Sequence, residues 1–114
     1  MLDIKEPDAD VAFAYADVRD LDSLCRGLAG HDAVIHLDAL DLAIDAAPEA
    51  FIETNTLGTW HVLQAAREAG IVKVVGEGDH EAPYYIPVDE AYPLEASHLY
   101  GVSKQAAELM ARLR

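Results

Sequence analysis

Short apolar runs alternate along this chain with longer stretches in which apolar residues recur at helical spacing. Residues 11–16, 33–37 and 71–75 are brief, almost wholly apolar and rich in strand-forming residues, which is typical of buried β-strands. Residues 20–30, 48–70 and about 94–114 repeat their apolar side chains every three or four positions, which predicts three helices. A loop with three prolines and two glycines is predicted between residues 76 and 93.

The ends of two predicted helices carry recognisable signals. Gly30 and Gly70 follow the last apolar residues of their helices, and Pro48 stands at the start of the longer one. The alternation of strands and helices predicts a single α/β domain over residues 1–114, with a parallel sheet covered by helices on both faces. In such sheets ligands bind beyond the carboxyl ends of the strands, so the residues that follow each strand are candidates for a site.

Composition and charge narrow the classes of partner. The chain has 21 acidic and 8 basic residues, and its formal net charge of −13 at pH 7 repels nucleic acid and anionic membranes. No apolar run is long enough to span a membrane and the acidic N-terminus lacks a signal-peptide core, so we expect a cytoplasmic protein. The single cysteine, Cys25, shares a helix face with leucines and is expected to be a buried core residue.

Imidazole and carboxylate side chains follow two neighbouring predicted strands. They are His36, Asp38, Glu77, Asp79 and His80. One interpretation is a site for a divalent metal such as Zn or Mn, with an open position that activates water for hydrolysis. The alternative is a strand histidine beside solvated loop residues, since the spacing matches no established metal motif.

Four motifs occur in order and span nearly the whole chain. They are ADVRD at residues 16–20, DAVIHL at 32–37, NTLGTWHVLQAAREAG at 55–70 and PVDEAYPLEASHLYGVSKQAAE at 87–108. Together they resemble the extended short-chain dehydrogenase/reductases of the NAD-dependent epimerase/dehydratase kind, whose patterns include a strand ending in HLAA, an N-x-x-G-T helix and Y-x-x-x-K. The resemblance implies a Rossmann-like fold and an ancestry in NAD-dependent chemistry on sugars or sugar nucleotides.

The resemblance assigns the catalytic positions to Tyr100, Lys104 and Asn55. Tyr100 and Lys104 are four residues apart and share a helix face, so the lysine ammonium favours the phenolate form of the tyrosine. A tyrosine of this kind can exchange a proton with a substrate hydroxyl. By the same resemblance, Asn55 supports the lysine through a water molecule.

The resemblance also implies where the adenosine half of NAD would bind. Asp3, at the end of the family's second strand, would accept hydrogen bonds from the ribose hydroxyls. Asp17 and Val18, which follow the next strand, would contact the adenine. These three positions are therefore the candidate cofactor-binding residues.

Several features of the family are missing from this sequence. It contains no G-x-x-G-x-x-G turn to bind the pyrophosphate, and VVGEGDH at residues 74–80 stands where the family has a serine pair. The family's HLAA is changed to HLDA, which puts Asp38 where a small residue normally lies against the cofactor. NAD binding is therefore expected to be weak or lost.

The missing first strand affects the expected fold. If residues 1–4 end the family's second strand, the centre of the sheet is open, and unpaired central edges are unfavourable in a dry core and adhesive in water. We therefore expect a truncated Rossmann-like three-layer α/β domain whose parallel strands are rearranged or exchanged between copies. Its expected partner is itself, in a dimer or larger oligomer.

Three functions remain open at this point. The first is a fragment or remnant of an NAD-dependent sugar-nucleotide epimerase or dehydratase, with a small-molecule substrate but without efficient redox activity. The second is a metal-dependent hydrolase that uses the histidine and carboxylate residues at the strand ends. The third is a non-catalytic oligomerising module.

Overall fold

The computed structural model describes residues 1–41, 43–76 and 99–112. Its elements in chain order are β1 (Leu2–Asp3), β2 (Ala14–Tyr15), α1 (Leu21–Leu28), β3 (Ala33–His36), α2 (Pro48–Phe51), a π-helical segment (Ile52–Leu57), α3 (Gly58–Glu68), β4 (Lys73–Gly76) and α4 (Leu99–Ala111). The predicted loop at 76–93 and the start of the last predicted helix lie almost wholly outside the described residues. No helix of the described part is long and apolar enough to cross a membrane.

The strands form two separate parallel pairs. In the first pair Leu2 lies opposite Ala14, and in the second Ala33 lies opposite Lys73. No strand of one pair is joined to a strand of the other among residues 1–41, 43–76 and 99–112. The prediction of an α/β fold with parallel strands is confirmed. In the part of the chain that the structure describes, no further strand extends either pair.

Helix α1 forms where the leucine pattern predicts it. The Asp20 carboxylate caps its N-terminus by accepting hydrogen bonds from the amides of Asp22 (3.1 Å) and Ser23 (3.3 Å), which would otherwise have no partner inside the helix. Leu24 and Leu28 are buried on one face. The chain leaves the helix at Gly30, whose φ of +80° lies in the left-handed region that favours glycine.

The hydrophobic core lies where α1 packs against α3. Its buried members come from both helices and from the segments beside the strands: Ala16, Val18, Leu24, Leu28, Val62, Ala65, Ala66 and Ile71. Ala65 and Ala66 are fully buried, so their small side chains let the two helices approach closely.

Cys25 differs from the buried apolar residue that the sequence predicts. It is only partly buried, and its Sγ donates a hydrogen bond to Glu68 Oε2 at 3.3 Å. Burial and the neighbouring Glu68 carboxylate both raise the pKa of the thiol, so Cys25 stays protonated and unreactive.

Three element boundaries differ from the prediction. Strand β2 covers only Ala14–Tyr15 of the predicted run 11–16. Strand β4 begins at Lys73, because Ile71 instead caps the end of α3 by donating its amide hydrogen to Ala66 O at 2.8 Å and burying its side chain in the core. The long predicted helix 48–70 contains the π-helical segment Ile52–Leu57, in which the backbone hydrogen bonds span five residues.

The helix glycine Gly58 marks a close approach between α3 and the segment after β2. A Cβ added at Gly58 would lie 2.7 Å from Val18 Cγ2, which is closer than non-bonded carbons come. The contact joins the loop that carries Asp17 and Val18 to the start of α3.

We predict that Gly58→Ala destabilises the protein. The overlap with Val18 should cost about 1–3 kcal/mol, which exceeds the roughly 1 kcal/mol that alanine gains over glycine in a helix. Urea denaturation measures the change in the free energy of unfolding. In a Val18→Ala background Cγ2 is gone and the nearest contact is the one to Cβ at 3.0 Å, so the same substitution should cost clearly less or even stabilise the protein. Equal losses in both backgrounds would contradict this steric explanation.

Candidate active site

His36 ends β3 and stands at one end of a series of hydrogen bonds that continues through Thr59 to Asn55. Its Nε2 is 2.9 Å from Thr59 Oγ1 on α3, and Thr59 Oγ1 donates its own hydrogen to the Asn55 carbonyl oxygen at 2.7 Å. Because the hydroxyl has a single hydrogen, His36 must donate from Nε2 to Thr59. This arrangement fits the neutral imidazole with its hydrogen on Nε2.

Burial favours the same neutral form. The His36 pKa is lowered from 6.5 to about 4, mainly by burial and to a smaller extent by the positive charge of Lys104. The structure therefore gives His36 a hydrogen-bonding role with Thr59, and it places the charge of Lys104 close enough to act on the end of β3.

Asn55 is the most deeply buried polar side chain of the π-helical segment. Its Oδ1 accepts the Leu40 amide hydrogen at 2.8 Å, and its Nδ2 donates to Leu40 O at 3.0 Å and to Ser103 Oγ at 3.1 Å. The exposed fraction of Asn55 is 1% and that of Ser103 is 0%. The side chain thus connects the segment after β3 to α4.

Helix α4 carries the two residues that the motif singles out. Tyr100 and Lys104 both lie within Leu99–Ala111, one turn apart, as predicted. Lys104 is partly buried, and its charge adds to the lowering of the His36 pKa and opposes the rise of the Asp38 pKa. Lys104, Asn55 and the end of β3 therefore belong to one region, while the roles of Tyr100, Lys104 and Asn55 in catalysis remain predictions.

The three aspartates near the strand ends make a negative field. Burial, followed by the charges of Asp3 and Asp17, raises the pKa of Asp38. Asp17 itself is paired with Arg19, whose Nη2 lies 2.6 Å from Asp17 Oδ2 and holds the pKa of that carboxyl below its usual range. Asp3 is exposed, and its Oδ1 accepts the Lys5 amide hydrogen at 3.0 Å.

Val18, which is predicted to contact adenine, is also part of the packing between the segment after β2 and α3. Its side chain is buried against Gly58, and its carbonyl oxygen lies 2.9 Å from His61 Nδ1. The contact of Asp17 and Val18 with a cofactor stays a prediction.

The metal hypothesis gains no support from the structure. Within residues 1–41, 43–76 and 99–112 no three histidine, cysteine, aspartate or glutamate side chains form a group that could hold a metal ion. Of the five proposed ligands, His36 and Asp38 are described, and Glu77, Asp79 and His80 lie outside the described residues.

Thr59 and Ser103 are site residues that the sequence reasoning missed. Both are polar residues at positions of α3 and α4 where the helical spacing predicts apolar side chains. This departure from the apolar pattern is the signal that could have revealed them. Buried hydroxyls are nearly always hydrogen-bonded, so a polar residue at a core position predicts a partner, which here is Asn55 or His36.

The family model described as "NAD dependent epimerase/dehydratase family" matches residues 3–113. The chain belongs to this family. It is 30% identical over 110 residues to a UDP-glucose 4-epimerase of Streptomyces lividans, and 32% identical over 105 residues to a dTDP-glucose 4,6-dehydratase of Streptomyces niveus. These matches cover 90% and 87% of this chain but 33% and 31% of the relatives, so the chain spans about a third of their length.

Solved structures of the family share the fold. A short-chain dehydrogenase/reductase superfamily protein of Agrobacterium tumefaciens with bound NAD has a TM-score of 0.85 at 26% identity, over 98% of this chain and 36% of that one. A dTDP-glucose 4,6-dehydratase of Streptomyces venezuelae with NAD bound has a TM-score of 0.76 at 34% identity, over 93% and 35%. The Rossmann-like short-chain dehydrogenase/reductase fold is thereby confirmed.

The residues of this chain fit NAD only in part. Asp3, which is exposed, ends β1, and Asp17, which is partly buried and paired with Arg19, follows β2; these are the positions where ribose and adenine would be bound. The sequence has no glycine-rich turn of the kind that surrounds a pyrophosphate, and the charges of Asp3 and Asp17 act on Asp38.

We predict that His36 makes stability depend on pH in a defined window. The unfolded chain takes up a proton near pH 6.5 and the folded protein near pH 4, so stability should fall as the pH is lowered from about 6.5 to about 4. The contribution is on the order of 3 kcal/mol. Urea denaturation across this pH range should show a smaller loss of unfolding free energy for His36→Gln than for the unsubstituted protein. If the unfolding free energies of the two proteins fall in parallel with pH, His36 is not the group responsible.

Proposed function

We propose that this chain supplies the catalytic helix of an NAD-dependent epimerase or dehydratase whose substrate is a sugar nucleotide. The observation that supports this most strongly is the match to the family model over residues 3–113, combined with Tyr100 and Lys104 one turn apart on α4. The relatives named as UDP-glucose epimerase and dTDP-glucose dehydratases support the substrate class.

The chemistry follows from the two residue types. A tyrosine phenol can exchange a proton with a sugar hydroxyl, and a lysine ammonium on the same helix face stabilises the phenolate that this exchange produces. Lys104 is partly buried near the end of β3, where water screens its charge less than at an open surface. Tyr100 would therefore act as the general acid and base, with Lys104 as its electrostatic partner.

For the 114 residues by themselves we propose less than the full enzymatic activity. They lack a pyrophosphate cradle, and they place three aspartates near the strand ends. We propose that the isolated chain binds NAD weakly and has no efficient redox activity. Its turnover should be measurable only at saturating NAD.

We predict an NAD dissociation constant on the order of millimolar, where about 4 kcal/mol of binding free energy remains. The Asp38→Asn variant should bind NAD somewhat more tightly, because the substitution removes one negative charge near the strand ends. Asp10→Asn removes a negative charge at another exposed position of the chain and serves as the control. Isothermal titration calorimetry measures all three proteins. Micromolar affinity of the unsubstituted chain would refute the prediction.

We predict that Tyr100→Phe lowers any turnover of UDP-glucose or dTDP-glucose at saturating NAD by about a hundredfold or more, because it removes the proton carrier and keeps the ring. Product formation can be followed by chromatography. Tyr15→Phe is a suitable control, since Tyr15 is 65% exposed on β2. Equal turnover of Tyr100→Phe and the control would exclude Tyr100 as the general acid and base.

We also propose that the chain associates with itself. Among residues 1–41, 43–76 and 99–112 each strand pair has edges without a partner strand, and Ile35 and Val75, which lie opposite each other across β3 and β4, are 72% and 50% exposed. Exposed apolar side chains beside unpaired strand edges favour association. A second copy that pairs with these edges would cover both.

We predict a dimer or larger oligomer at micromolar concentration by light scattering. Ile35→Lys should weaken it by placing a charge on the exposed face of β3, whereas Ile44→Lys, at a loop residue that is 46% exposed, should not. A strictly monomeric chain would refute self-association.

A further inference from the structure

We propose that the space between β1 and β3 is a docking site for one β-strand, followed by a helix, from a separate polypeptide. This site goes beyond the proposed enzymatic function and does not depend on it. Three features of the described residues support it: the pairing of the strands, the apolar side chains that face away from the helices, and the charges at the strand ends.

Strands β1 and β3 lie on the same layer of helices without a ladder between them. Within residues 1–41, 43–76 and 99–112, β1 pairs only with β2 and β3 pairs only with β4. Leu2 of β1 and Val34 of β3 both pack against the core that α1 and α3 form. The two strand pairs therefore rest on one surface but do not join.

The charges at the strand ends indicate how wide the space is. Asp3 ends β1 and Asp38 follows β3, and the charge of Asp3 raises the pKa of Asp38 more than the charge of Asp17 does. Charges more than about 10 Å apart are largely screened, so β1 is the neighbour of β3 and their carboxyl ends lie within about that distance. Strands that flank one further strand are also about 10 Å apart, which is twice the usual spacing. The space therefore fits one strand that runs parallel to both.

The backbone of β1 has its unused edge on the side away from β2. Met1 O and Asp3 O accept the amide hydrogens of Ala14 and Ala16, at 3.0 Å each, and so point towards β2. Because the backbone groups of successive strand residues point to alternate sides, the N–H and C=O groups of Leu2 point away from β2. These are the groups with which an incoming strand would pair.

The face of β3 and β4 that points away from the helices is apolar and uncovered. Val34 and Val74 pack towards the core, so Ile35 and Val75, the next pair along the two strands, point to the opposite face. Ile35, Val75 and Leu37, which follows β3, are each at least half exposed. Because α1 and α3 already occupy the inner face, a helix that follows the incoming strand would cover this outer face.

Charge favours a helix that begins at the carboxyl ends of the strands. The carboxylates of Asp3, Asp17 and Asp38 act on one another there, and a helix N-terminus carries a partial positive charge that carboxylates stabilise. The net charge of −13 also favours a basic partner. The occupant is thus an apolar strand, a short turn, and a helix with one apolar face and basic residues on the other.

A second copy of this chain does not fit the space. Each of the four described strands already has a neighbour on one side, whereas a strand between β1 and β3 needs both of its edges free. A copy can still pair with the outer edges of β2 and β4, so self-association and docking use different edges.

The test uses the full chain and a designed peptide of roughly 25 residues, with a valine- and isoleucine-rich strand of about six residues, a glycine-containing turn and a lysine-bearing helix of about three turns. Hydrogen exchange followed by NMR shows where the peptide binds. Protection of the Leu2 amide should rise by about tenfold or more. The amides of Ala14 and Ala16 already donate to β1, and that of Tyr15 between them points to the outer edge of β2, so these three should not change.

Matched controls separate pairing in the space from other binding. A peptide with proline in the middle of its strand cannot complete the ladder and should bind about tenfold more weakly. Ile35→Lys should weaken the binding of the first peptide by a similar factor, because it places a charge under the helix. Leu109→Lys, at an exposed position of α4, should leave the affinity unchanged. Isothermal titration calorimetry measures the affinities and should give one peptide per chain.

The docking site is refuted if the peptide does not bind. It is also refuted if the peptide protects the Tyr15 amide and not the Leu2 amide, since the peptide would then extend the outer edge of β2 as a second copy could. Equal binding of the proline peptide would show attachment without a ladder and would overturn the proposal as well. Failure of the proposed enzymatic function would change none of these results, because no measurement uses NAD or a sugar nucleotide.

Discussion

The packing of α1 against α3 is the contact on which the rest of the structure depends. The two strand pairs share no ladder in the described part of the chain, so backbone hydrogen bonds do not hold them together. The buried side chains between the helices do, with Leu24 and Leu28 on one side and Ala65 and Ala66 on the other. Apolar burial of this kind has no preferred direction, and it can join sheets that have lost their common edge.

The candidate site also depends on how the helices pack. The helices bring the end of β3 close to α4, so a partly buried imidazole, a buried amide and a lysine occupy one region. The aspartates near the strand ends give that region a negative field, which raises the pKa of Asp38. The residues proposed for proton transfer and those proposed for cofactor binding thus have different electrostatic surroundings.

The sequence predicted the parts of the fold in which pattern and packing agree. The leucines of α1, the apolar run of β3 and the spacing of Tyr100 and Lys104 appear where expected, because each depends on a local period. Strand β2 is shorter than its apolar run because only two of its residues face a partner strand. The hydrogen bond from Asn55 to Ser103 spans 48 residues, and no local pattern encodes such a pairing.

The π-helical segment has a consequence for how this helix tolerates change. The wide turn accommodates one residue more than an α-helical turn, at a smaller rotation per residue. The helix that follows therefore keeps its phase, and Ala65 and Ala66 stay buried in the core. Deleting one residue of the segment would restore a regular α-helical turn and leave those alanines in place. The change would instead displace Asn55, whose side chain reaches Leu40 and Ser103 from this turn.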